Sequence, residues 1–404
     1  MNSEWQETLL ANLLTFANGK TSPSRLEKFP YPVFGSNGII GYSEEVNTSK
    51  SSIIIGRVGS YCGSVYFSDS DCWVTDNAIY ALPKGENDPK FFYYLLSNLN
   101  LNQWRSGSGQ PLLNQSILNS ISVKVPSSQT QQAIADILNS LDEKIELNRQ
   151  MSKTLEDIAS TLFKSWFINF DPVKAKAAGR EPEGLSSEIA ALFPDSFVDS
   201  SLGQIPKGWE ISEIGNILRK NVNNIKASQE TENLPYVPID CITSNTLALQ
   251  NYQSGKLAKT SLVKFAKGEI LFGSMRPYFH KVCIAPFAGV TRTTAFVLSP
   301  FDLNDFSFGL MTIFRQSTIE FASNTAQGST IPYAVWDGVL AKMQIILPPR
   351  NLRIVYNQII TKSFDKILNI SIQNRNLCNI RNSLLPKLIT GVLKIKNLEP
   401  ANVY

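Results

Sequence analysis

Between residues 129 and 170 the apolar positions fall on alternating steps of four and three. Ile134, Leu138, Leu141, Ile145, Leu155, Leu162 and Trp166 occupy them, with Asn148, Ser152 and Ala159 filling the remaining places. That is the seam of a coiled-coil helix, and no proline interrupts it. About 40 residues at roughly 1.5 Å each make a rod of about 60 Å, far longer than a helix that only covers one side of a small core. A rod of that length predicts a spacer or an assembly surface.

The pattern recurs at a shift of 222 positions, from Pro126 to Pro348. Under that shift Ile137 meets Ile359, Leu138 meets Ile360, Ile145 meets Ile367, Leu155 meets Leu377, Ile158 meets Ile380 and Leu162 meets Leu384. The register never slips, which predicts a duplication and not two unrelated amphipathic helices.

The stretches before each rod carry a different pattern. Trp5 and Leu9 suggest a short helix. Residues 29–41 then hold Pro30, Pro32, Gly35, Gly38 and Gly41, a density of breakers no helix tolerates. Residues 52–56 read as a buried strand stopped by glycine, 61–67 and 73–82 as two more, 91–101 as a helix, and 121–125 as a last strand. The plan returns after residue 208. Residues 269–273 match the first buried strand at a shift of 217, Trp209 answers Trp5, Gly328-Ser329 answers Gly107-Ser108, and 343–347 answers 121–125. Between the halves, Pro172, Pro182, Pro194 and Pro206 forbid a single connecting helix, with room for a short one over 186–193. The order is globule, rod, globule, rod.

Composition changes this picture little: 404 residues, 43% hydrophobic, fit two or three well-packed domains. No apolar run is long enough for a bilayer, and Glu4 and Glu7 lie where a secretion signal needs positive charge, so the expected location is cytoplasmic. Charge is more informative by segment. The first rod holds 4 Lys/Arg against 6 Asp/Glu, whereas 349–404 hold 9 against 2. That asymmetry suits two rods lying against each other, or a basic face near nucleic acid.

Candidate chemistry is sparse. A single histidine, His280, leaves little for a histidine-based triad or metal site, and five dispersed cysteines form no C-x-x-C pair, so no metal ligands and no catalytic residues are assigned. No phosphate-cradling G-x-x-x-x-G-K-[ST] loop and no strand-linked G-x-G-x-x-G occurs. The N/D/S-P-P-Y/F tetrapeptide of amino-methyltransferases is absent, since Pro348-Pro349 leads into Arg350. Pro194-Asp195 lacks the acidic-x-Lys element of nucleases. The residues describe a binder.

Three strings, in order within the duplication, resemble the specificity subunits of type I restriction-modification systems. They are Trp166-Phe167-Ile168-Asn169-Phe170-Asp171-Pro172, Leu202-Gly203-Gln204-Ile205-Pro206-Lys207-Gly208-Trp209-Glu210, and Asn382-Ser383-Leu384-Leu385-Pro386-Lys387-Leu388-Ile389-Thr390-Gly391. The resemblance implies an α+β chain with a pseudo-twofold repeat. It divides into a β-rich target-recognition domain at 1–128, a spacer helix at 129–170, a linker at 171–200, a second recognition domain at 201–348, a second helix at 349–392 and a tail at 393–404. The helices would form an antiparallel coiled coil with Leu138, Leu141, Ile145, Leu155 and Leu162 facing Ile360, Ile367, Leu377 and Leu384. It further implies that each domain reads half of a split, asymmetric site on double-stranded DNA and that the helices set the unread gap. Two methyltransferase subunits would dock, restriction subunits would join through them, and S-adenosylmethionine, ATP and magnesium would reside on those partners, with no cofactor on this chain. A duplex repeats about every 34 to 36 Å, within reach of a rod of about 60 Å.

Candidate DNA contacts follow less directly. Arg57, Ser60 and Tyr61 follow the first buried strand between glycines, and Ser274, Arg276 and Tyr278 follow its counterpart; small residues let amides approach a phosphate while arginine supplies charge. An arginine in a turn is often merely solvated, but here it recurs two places out of register. Ser108, Gln110, Gln327 and Ser329 offer small donors or form plain polar turns. Lys20, Asn37 and Arg105 in the first half, and His280, Lys281, Arg292 and Thr293 in the second, complete the set. Two rival classes stand beside the specificity subunit. A self-sufficient DNA-modifying enzyme needs the motifs found missing, and a coiled-coil scaffold with β-rich heads for protein or sugar would have no methyltransferase gene beside it.

Overall fold

The computed structural model describes residues 5–105, 112–259 and 261–395. The chain forms two compact units, and each takes in part of both rods: Met1–Lys144 with Leu377–Tyr404, and Ile145–Asn376. The rods are continuous helices, Ser128–Phe167 and Arg350–Ile389.

In the first unit a four-stranded antiparallel sheet has the order Leu14–Asn18, Ala78–Pro83, Ser52–Gly56, Val65–Ser68. The strand read from sequence at 52–56 is buried throughout and central, as an uninterrupted Ile53-Ile54-Ile55 run requires. The hairpin of Tyr31–Gly35 and Gly38–Ser43 adds Trp73–Val74 in parallel. The start of the chain departs from expectation. Gln6–Leu9 is a strand paired with Ser122–Val125, and the helix that follows it is a single turn, Leu10–Leu13. Pairing with the last strand before the rod decides this, because local spacing of Trp5 and Leu9 cannot register a partner more than a hundred residues away. Residues 59–61 are likewise a 3₁₀ turn, and the strand expected from 61 begins at Val65.

The second unit repeats the plan with Leu218–Asn221, Ala295–Pro300, Ile270–Gly273 and Val282–Ile284 in one sheet, and Glu210–Glu213 paired with Gln344–Leu347. The connector holds helices Asp171–Ala177 and Ser187–Ala191 and the hairpin Phe197–Ser200 with Gly203–Pro206.

Each unit contains an antiparallel stretch of the helix pair. In the first, Arg381 Nη1 donates to Asp142 Oδ1 at 2.7 Å, Tyr94 OH donates to Asp142 Oδ2 at 2.7 Å, and Leu138 shares a core with Leu384, Leu388 and Ile389. In the second, Asn148 Nδ2 donates to Gln373 and Asn374 at 2.9 and 2.8 Å, Tyr356 OH donates to the Ala159 carbonyl at 3.1 Å, and Leu155 and Leu162 pack with Ile360 and Ile367. The charge difference between the rods yields one ion pair between them among the described residues, Arg381 with Asp142; apolar and amide seam positions hold the rest.

The strings that carried the resemblance are core, not chemistry. Trp166, Phe167 and Phe170 meet Trp209 and Tyr356 edge-on or tilted, with Phe167 5.1 Å from Tyr356 and Phe170 5.5 Å from Trp209. At the end of the second helix Gly391 takes φ +74°, where a Cβ would lie 2.6 Å from the Trp5 ring, so only glycine closes that end. Domain docking is duplicated too. The backbone N–H of Asp88, which caps Pro89–Asn98, donates to Gln131 at 3.0 Å; 217 residues from Asp88, Asp305 pairs at 3.1 Å with Arg353, 222 residues from Gln131.

Glu156, 3% exposed, accepts from Thr246 Oγ1 at 2.7 Å and from the Leu247 N–H at 2.9 Å. Burial pushes its carboxyl above the ordinary value, and these hydrogen bonds pull it part of the way back. The folded chain therefore keeps this proton to higher pH than the unfolded chain, so stability falls as pH rises from about 4.5 through the raised value. In Glu156→Gln that slope should vanish, with the two proteins converging at the acid end of a thermal-unfolding series. A variant that loses the same stability at every pH would contradict this.

Candidate nucleic-acid interface

In the second unit three segments are laced together beyond the end of the Ile270–Gly273 strand. Ser274 donates through both N–H and Oγ to the Thr294 carbonyl, each at 2.8 Å, and its own carbonyl accepts from the Ala334 N–H at 2.8 Å. The Arg276 N–H donates to the Pro332 carbonyl at 2.7 Å, and Gln327 and Tyr333 exchange backbone bonds at 2.9 and 2.8 Å. Around this lattice an open recess of about 340 Å³ is lined by Ser274, Met275, Thr293, Thr294, Ile331 and Tyr333. Arg276, Tyr278, Arg292, Thr293, Gln327 and Ser329 are exposed on the same edge. Residues 274–282, 290–294 and 326–335 contain no Asp or Glu, so Arg276, Lys281 and Arg292 give these segments a positive balance.

Not every residue expected here faces outward. His280 is 8% exposed, its ring 4.7 Å from that of Phe314, and burial lowers its proton affinity. Ser274 is also buried and spends its side chain on the loop, while Lys281 Nζ reaches the Ile239 carbonyl at 2.9 Å. Their part is to shape the edge. Sequence reading overlooked the exposed Phe279, Ile331 and Tyr333, whose signal is large apolar residues in breaker-rich loops.

The first unit builds the same edge. Val58 bridges Leu112 as Met275 bridges Tyr333. The 3₁₀ turn Gly59–Tyr61 corresponds to Pro277–Phe279, with Tyr61 and Tyr278 both exposed. At a shift of 217 the left-handed positions coincide: Gly59 (φ +72°) with Arg276 (φ +49°), and Gly63 (φ +87°) with His280 (φ +51°). Non-glycine residues hold this conformation at a cost of about 1–3 kcal/mol each, so the second copy keeps a strained loop that presents Arg276. Gly59 is open, but Gly56 is not: a Cβ there would meet the Tyr61 carbonyl at 2.3 Å, so it serves chain packing, not a ligand. Arg57 is half-buried, its N–H donating to Asn77 and its carbonyl accepting from Leu113. Ser60 and Arg105 are exposed, as is Asn37 in the turn whose Ser36 hydroxyl also donates to the Asn77 carbonyl. Lys20 bridges Thr75, and its carbonyl accepts from Asp76. Trp104, exposed beside Arg105, was not anticipated. Ser108 and Gln110 lie outside the described residues.

The family profile described as "Type I restriction modification DNA specificity domain" matches residues 2–157 and again 206–382, one match for each globule with most of its rod. The chain belongs to that family. This specificity subunit is 26% identical to the type I restriction enzyme HindI specificity subunit of Haemophilus influenzae, over 85% of this chain and 86% of that one. It is 28% identical to the MjaIX specificity subunit of Methanocaldococcus jannaschii, over 78% and 72%. The S subunit of a type I system from M. genitalium, at 16% identity, superposes with a TM-score of 0.63 over 96% of both chains and shares the fold. As a specificity subunit the chain carries two DNA specificity domains, and the bridge and left-handed positions described above recur in both units. No helix among the described residues is long and apolar enough to cross a membrane.

Proposed function

We propose that each domain reads one half of a bipartite, asymmetric site on double-stranded DNA through this edge, while the helix pair fixes the gap and docks methyltransferase subunits. The observation that carries the reading is one loop repeated in both units, with left-handed positions and an exposed tyrosine in register and an arginine beside or within it (Arg57, Arg276), on family-matched domains. Exposed arginines suit phosphates and guanine edges, and the tyrosines offer flat apolar contact. The chain itself performs no chemistry in this reading. S-adenosylmethionine, ATP and magnesium sit on methyltransferase and restriction subunits, in the cytoplasm.

The helix surfaces support docking. Writing Leu138 and Ile360 as seam position a, the e positions Ala135, Glu156, Phe163 and Phe364 are buried, while Arg149 at the same position is exposed. Positions g carry Ile137 and Ile380 in the first unit and Ile158 and Ile359 in the second, with Lys144 and Lys366 at the next g place. Ile158, Ile359 and Ile380 are 51%, 41% and 48% exposed, and Ile137 is half-buried against the first core. An apolar pair repeated at the duplication shift is what one kind of partner, bound twice, would use.

Arg57→Ala and Arg276→Ala should each weaken DNA binding by the assembled methyltransferase and lower the slope of log K against log salt by about 0.9 per lost phosphate contact. A salt titration by fluorescence anisotropy reads both quantities. Unchanged affinity and slope in both variants would assign these arginines to structure.

A further inference from the structure

One hairpin differs sharply between the two units. In the first, Tyr31–Gly35 and Gly38–Ser43 are joined by the two-residue turn Ser36-Asn37. Their counterparts in the second are recognisable because Pro235–Val237 runs parallel to Gly289–Arg292 as Tyr31–Gly35 does to Trp73–Val74. There the return strand is Gln253–Ser254, and residues 238–252 intervene.

This excursion ties two places together. At one end it reaches both helices: Thr246 and Leu247 donate to the buried Glu156, and the Arg375 guanidinium lies 3.1 Å above the Tyr252 ring, which meets Phe287 edge-on at 4.8 Å. At the other it reaches the recognition loop, where the Asn245 N–H donates to the His280 carbonyl at 3.0 Å and Lys281 Nζ donates to the Ile239 carbonyl at 2.9 Å. His280 is the left-handed residue that closes the loop presenting Arg276 and Tyr278. Two hydrogen bonds joined by the covalent segment 245–247, Leu247 N–H to the Glu156 carboxylate and Asn245 N–H to the His280 carbonyl, thus connect Glu156 to the back of that loop. In the first unit the corresponding two-residue turn leaves no room for such an excursion.

We infer that residues 238–252 form a strut by which the helix pair sets the pose of the second recognition loop, with Glu156 as the positioning residue. The strut rests on the reading of this edge as a DNA surface. It makes the two halves unequal, because the second half-site is read by a loop braced on the spacer helices. A substitution on a helix, remote from DNA, then changes base preference in one half of the target only.

Glu156→Ala removes the acceptor, Glu156→Gln keeps it, and Thr246→Val tests the same contact without emptying a core position. Amide exchange over residues 276–281 in the full-length subunit should quicken severalfold in Glu156→Ala and remain native in Glu156→Gln. Unchanged exchange in both Glu156→Ala and Thr246→Val overturns the strut, whatever DNA does. The second readout is methylation by the assembled enzyme on a pool with randomised half-sites and gaps. One half-site should lose base preference about tenfold in Glu156→Ala and regain it in Glu156→Gln, with the other half unaffected. A lowered melting temperature with both halves and the gap unchanged would make Glu156 merely structural. If Arg57→Ala and Arg276→Ala both leave DNA affinity and its salt slope unchanged, it is the underlying DNA reading that falls.

Discussion

Replacing Ile158 and Ile359 with aspartate should remove one methyltransferase subunit from the complex and leave the specificity subunit folded. Both side chains sit at outward g positions of the helix pair, Ile158 51% and Ile359 41% exposed, so the substitutions open no cavity and bury no charge in the free chain. In the docked state each isoleucine would contribute about 1.5–3 kcal/mol of burial, and each new carboxylate would have to be desolvated without a partner. The pair should therefore weaken docking by at least about a thousandfold, some 4 kcal/mol. The counterparts Ile137 and Ile380 remain intact, so the second partner should still bind. Native mass spectrometry reads the stoichiometry directly, with one methyltransferase subunit per specificity subunit in place of two. A full complement would place docking elsewhere.

The large features of the fold were legible because they depend on period. The helices declared themselves by the seam from Ile134 to Trp166 and its copy, and the central strand by three consecutive isoleucines before Gly56. What failed depended on distant pairing. Leu9 lies in a strand because Ser122–Val125 supplies its partner, and nothing near Leu9 records that. The edge of the candidate interface was half legible. Tyr61 and Tyr278 were found from glycine and proline punctuation, and they occupy the same place in the two units. His280, beside Lys281 on the expected edge, reads from sequence as exposed, whereas at its left-handed position the ring lies buried against Phe314. Glu156 looked like one more charge on a solvated helix. Its e position, three places before the Ala159 seam residue, becomes informative only once that side is known to be covered. The strut was hidden in a length difference between two hairpins of low sequence similarity.

The claim that the helices measure the gap while the domains read the bases is open to one direct measurement. The helices run antiparallel and are joined where Asn148 bonds Gln373 and Asn374, so an insertion must be matched in both, four residues after Asn148 and four after Asn374. Four residues add about 6 Å of rise. They also introduce a stutter into the seam that lowers stability more than a matched seven-residue insertion would. Mapping every methylated site in DNA modified by the assembled enzyme should then return both half-sequences unchanged, with one or two additional unread base pairs between them at about 3.4 Å each. An altered half-sequence at a fixed gap would show that the domains, and not the helices, set the spacing, and would contradict the account.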